Sequence, residues 1–99
     1  MTEQSWQLRQ GNRLIGTLFF EEQDMFWSEC RFEPEAAWAE LRPLFEASRV
    51  AWERGDIEAA LEADEVIQAV GLVLIPSGGG VPLTDFQLRI DLNTARFRY

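Results

Sequence analysis

The run DMFWSECRF, Asp24 to Phe32, holds the only cysteine of a 99-residue chain, set between a tryptophan, a glutamate and an arginine. A thiolate there works as a nucleophile when a base stands beside it, and the chain contains no histidine. All nine basic residues are arginine, so neither a lysine Schiff base nor an imidazole proton relay is available. Cys30 is expected to be a small buried hydrophobe, its pKa raised by burial. No catalytic motif stands out, and the chain reads as a non-enzyme.

The remaining chemistry belongs to carboxylates and guanidinium groups. Glu29 is the best isolated acid, since it follows Trp27 on one strand face. Arg31 two residues on would lower its pKa and favours a structural ion pair. Asp56, Glu58, Glu62, Asp64 and Glu65 crowd one helix with no base among them. Glu58, Glu62 and Glu65 converge at i, i+4, i+7, and such oxygens suit hard cations. The spacing of a calcium loop is absent, so a solvated helix face is expected, with no metal and no cofactor. The stretch PSGGGVPLTD lacks the Gly-Lys-Ser/Thr ending of a phosphate loop and runs into a strand. Arg89, Arg96 and Arg98 share a face of the closing hairpin and form the only basic cluster. They are the candidate site for a small anion or an acidic partner; the alternative is a solvated strand face paired locally with Asp85 or Asp91.

Several elements must position these groups. Ser5–Gln10, Arg13–Glu21 and Met25–Phe32 read as a three-stranded meander, turned at GN and at EEQD. From EPEAAW the pattern becomes helical: Trp38, Leu41, Phe45, Ser48 and Trp52 recur at steps of three and four. Pro34 suits the first helical position, and Pro43 should kink or divide the helix. Gly55 ends it and Asp56 caps a second helix that buries Ile57, Ala60, Leu61, Ile67 and Val70. Leu72–Pro76 is a short apolar strand, and TDFQLRID and ARFRY close the chain as a hairpin around LNT. The expected fold is a single α+β domain over residues 1–99. Its antiparallel, strongly curled sheet follows the order β-β-β-α-α-β-β-β, with both helices on one face.

A four-residue EEQD turn would set Phe20 opposite Met25, Leu18 opposite Trp27 and Ile15 opposite Cys30. Alternation then sends Trp6, Leu8, Ile15, Thr17, Phe19, Phe26, Ser28, Cys30 and Phe32 toward the helices. Leu14, Leu18, Phe20, Met25, Trp27, Glu29 and Arg31 fall on the other face. They form a candidate interface unless the sheet curls or the closing hairpin folds across to bury them, or the register slips by one residue.

Composition narrows the partners. A net charge of −8 repels nucleic-acid backbones. No run approaches the ~18 apolar residues of a membrane span. A lone cysteine and an N-terminus without a basic–apolar signal pattern point to the cytoplasm. At DMFWSECRFEP, LRPLFE and DFQLRIDLNTARFRY the chain resembles small uncharacterised bacterial proteins, domains of unknown function. That resemblance implies a stand-alone α+β domain of unknown function and nothing about activity.

These readings converge on a cytoplasmic binding or assembly protein that forms a homodimer through the Met25/Trp27 face. A small acidic inhibitor or immunity-type protein, masking a basic partner, would use the same surface. A small-molecule-binding protein or carboxylate-based enzyme would instead use a helix–sheet pocket lined by Trp38, Trp52 and Phe26.

Overall fold

A computed structural model describes residues 4–99. The chain forms β1 (Ser5–Gln10), β2 (Arg13–Asp24), β3 (Trp27–Pro34), α1 (Trp38–Glu53), α2 (Ile57–Ala69), β4 (Leu72–Pro76), β5 (Gln87–Asp91) and β6 (Thr94–Arg98). The order of strands and helices matches the sequence expectation. All strand pairs are antiparallel, in the spatial order β4-β1-β2-β3-β6-β5, and the sheet curls into a half-barrel.

The interior is filled by alternate residues of every strand and by the two helices. Phe32, Phe97, Leu8, Ile15, Leu18 and Leu74 are fully buried, with Trp38, Leu41, Phe45 and Ile67 entering from the helices. Aromatic edges organise the packing: Trp6 meets Phe97 at 4.9 Å and Phe32 meets Trp38 at 5.1 Å between ring centroids, both T-shaped. Gly16 shows how close the fit is. A Cβ there would lie 2.5 Å from Phe32 Cε1, so only hydrogen fits beneath that ring.

The meander differs from the sequence expectation at its second turn. β2 continues through EEQD to Asp24, and the chain reverses at Met25–Phe26, with Met25 in the left-handed region at φ 55°. Neither residue advertises a turn, whereas the polar quartet before them does. A bulge at Glu21 and another at Ile15 each add a residue to β2. In consequence Leu18 opposes Phe32 and Phe20 opposes Cys30. Leu18 and Phe20 therefore point inward and drop out of the candidate interface, while Thr17 and Phe19 take the outer face. Ile15 is the extra residue opposite β1, and the bulge turns it inward as well.

The helices bring further corrections. Pro34 ends β3, where Gly16 pairs with it, and does not open α1. Pro43 lies inside one continuous helix; it withholds the N–H that the Ala39 carbonyl would accept, near a helix start that water reaches. Asp56 caps α2 by accepting the Ala59 N–H at 3.2 Å. Of the residues expected to be buried on α2, Ala60 and Ile67 are, Val70 is partly so, and Ile57 and Leu61 stay exposed. A helix beside a curled sheet offers a narrower stripe to the core than its apolar content suggests.

Candidate functional site

Alternation gives β3, β6 and β5 a second face, and register arranges it in rows. Glu29 pairs with Arg96, which pairs with Arg89. Arg31, Thr94 and Asp91 form the next row, and Trp27 lies beside Arg98 and Gln87 on the other side. The three arginines singled out in sequence thus meet three residues of the candidate interface, Trp27, Glu29 and Arg31, on one surface. Only β3–β6 pairing joins them, and that contact is remote along the chain.

Trp27 is the centre of this surface. The Arg96, Arg98 and Arg89 guanidinium carbons stand 4.9, 5.1 and 5.4 Å from its ring. All lie within cation–π reach, which offsets part of the repulsion among like charges. Arg89 is also 4.6 Å from the ring of Trp52 on α1, so its guanidinium is held by two indoles. Trp52 is fixed in turn: its Nε1–H donates to Asp64 of α2 at 3.2 Å, and the buried Ser48 hydroxyl donates to the same carboxylate at 2.6 Å. Asp64, expected on a solvated acidic face, is a positioning residue between the helices.

The guanidinium groups differ in how they are answered. Arg96 faces Glu29 at a loose 3.9 Å, and Arg98 donates to Gln87 at 2.7 Å. Arg31 pairs with Glu33 at 3.6 Å and lies over Phe19 at 4.5 Å. Arg89 meets no hydrogen-bond acceptor or carboxylate partner among the described residues. Burial lowers its pKa most and the Arg96 and Arg98 charges lower it further, while Asp64 works the other way. The group remains a cation with open N–H donors. Next to it a cleft of about 340 Å³ runs between α1 and the β5–β6 hairpin, with Arg49, Trp52 and Glu53 on one wall and Glu29, Arg89 and Arg96 on the other.

Other candidate residues lie elsewhere. Met25 and Phe26 form the exposed tip of the β2–β3 hairpin, 82% and 74% accessible, so Phe26 lines no helix–sheet pocket. Trp38 is core. Leu14 is half-buried and pairs with Arg9 at the far end of β2. Cys30 is 2% exposed, and its thiol is pushed up to about 12, chiefly by burial and then by Glu29 and Glu21. It therefore stays protonated at neutral pH and supplies no nucleophile. Among the described residues no group of acids and cysteine gathers closely enough to hold a metal ion. None of the described helices is long and apolar enough to cross a membrane. What the arrangement can do is bind: fixed guanidinium forks over indole faces suit carboxylate or phosphate oxygens. Searches with the chain against family models, curated proteins and solved structures give no match.

Proposed function

We infer that this chain is a binding module whose Arg89/Arg96/Arg98 face, centred on Trp27, takes up carboxylate groups of an acidic protein surface. The observation that supports it is the Arg89 guanidinium, oriented by Trp27 and Trp52 and left without an acceptor among the described residues. Orienting a cation in advance lowers the ordering cost of binding. The net charge of −8 opposes an acidic partner at long range. At physiological salt that field decays within roughly 8 Å, so the local basic cluster governs contact.

The test is a titration with a short polyglutamate peptide, followed by the NMR signals of the indole N–H groups. Saturable shifts of Trp27 and Trp52, weakened by salt and lost in Arg96→Ala/Arg98→Ala, are the expected result. No shift of either indole at physiological salt and millimolar peptide would reject the reading.

A further inference from the structure

The face that carries the arginines also carries their complement. β2 extends the same surface beyond β3: Glu22 pairs with Glu29 and Asp24 with Trp27. In these two rows the columns run from acidic (Glu22 and Asp24, then Glu29) to basic (Arg96 and Arg98, then Arg89); the next row runs the other way, from Arg31 to Asp91, which pair with Glu33 and Arg49. Two of its cross-strand pairs join like charges directly, Glu22 with Glu29 and Arg89 with Arg96. Such pairs destabilise a sheet, and here one of each sign lies on one surface. Among the described residues the 3.9 Å contact of Arg96 with Glu29 is an ion pair between the two halves.

Resting on the reading above, we propose that the acidic partner is a second copy of this chain, docked face to face about a two-fold axis parallel to the strands. That operation reverses the column order. It lays Glu22 of one copy over Arg89 of the other and Glu29 over Arg96, with Asp24 over Gln87 beside Arg98, and the same contacts occur twice. Met25 and Phe26, exposed at the border of the acidic columns, supply apolar area at the rim. The interface differs from an apolar sheet-face dimer, because Leu18 and Phe20 are interior.

Sedimentation equilibrium on the wild type at physiological and at molar salt tests the proposal, alongside two charge-reversed variants, Glu22→Arg/Glu29→Arg and Arg96→Glu/Arg98→Glu. The expected result is a dimer that dissociates at high salt, is absent in each variant alone, and returns as a heterodimer when the variants are mixed. Circular dichroism checks that each variant is folded. A wild type that stays monomeric at physiological salt overturns the proposal whatever the variants do. If such a monomer still shows the polyglutamate shifts at Trp27 and Trp52, the acidic-partner reading stands and the partner is another protein. A dimer that survives both reversals also overturns it, since the contact then lies elsewhere. A monomer that ignores the peptide removes both readings.

Discussion

The two faces of β3 and β6 are made of neighbouring residues under opposite rules. On the inner face Cys30 and Phe32 pack with Ala95 and Phe97, and each is 3% exposed or less. One Cβ too many at Gly16 would collide with Phe32. On the outer face Glu22 lies opposite Glu29 and Arg89 opposite Arg96, and the Arg89 guanidinium makes no hydrogen bond among the described residues. The inner face is optimised for the chain alone. The outer face keeps like charges side by side, and that contrast is what the proposed recognition rests on.

The comparison breaks first at its inner half. Phe97→Ala should cost about 3–5 kcal/mol in denaturant unfolding, because the ring is fully buried against Trp6. Arg98→Ala, one residue on, should change stability by no more than about 0.5 kcal/mol. Similar losses at both positions would mean that the outer face is also structural.

Alkaline pH probes the inner face without mutation. The Cys30 thiol is raised from 9.0 to about 12 in the folded chain, so between those values the unfolded chain releases a proton that the folded one keeps. Stability from this group is complete below about pH 9 and is lost as pH climbs toward 12. Cys30→Ala should flatten that part of the stability–pH curve, and the wild-type thiol should resist alkylation at pH 8 until the chain unfolds.

The smallest effect is the sharpest. Glu22→Arg places a cation opposite Glu29 and should stabilise the monomer by about 0.2–1 kcal/mol. The same change should weaken self-association. A variant both more stable and less associated would separate folding from recognition on one surface; a less stable one would show that Glu22 has a structural task.

Much of this was legible in the chain. The Gly11–Asn12 turn, the Trp38/Leu41/Phe45/Ser48 stripe, the Asp56 cap and the apolar run Leu72–Pro76 follow from local chemistry. So does the alternation of Arg89, Arg96 and Arg98 against Leu88, Ile90 and Phe97. The second turn did not, because Met25 and Phe26 carry no turn signal and a positive φ at methionine is set by its surroundings. Two bulges then changed which β2 residues face inward, which no period-two count registers. Asp64 was one acid among five until tertiary packing brought Ser48 and Trp52 to it. The Trp27 cluster was visible as parts, and its assembly waited on β3–β6 pairing.

That pairing also bears on how the molecule comes together in time. β6 sits between β3 and β5, and Ser28 reaches its partner only when Phe97 has been made. Through the synthesis of both helices, β3 presents an open edge on the growing polypeptide. The nearby hairpins gain little until this distant closure occurs, so folding should be paced by a loop-closing search and run slower than in a helical protein of equal length. The Trp27 surface is completed in the same step, when β6 pairs with β3.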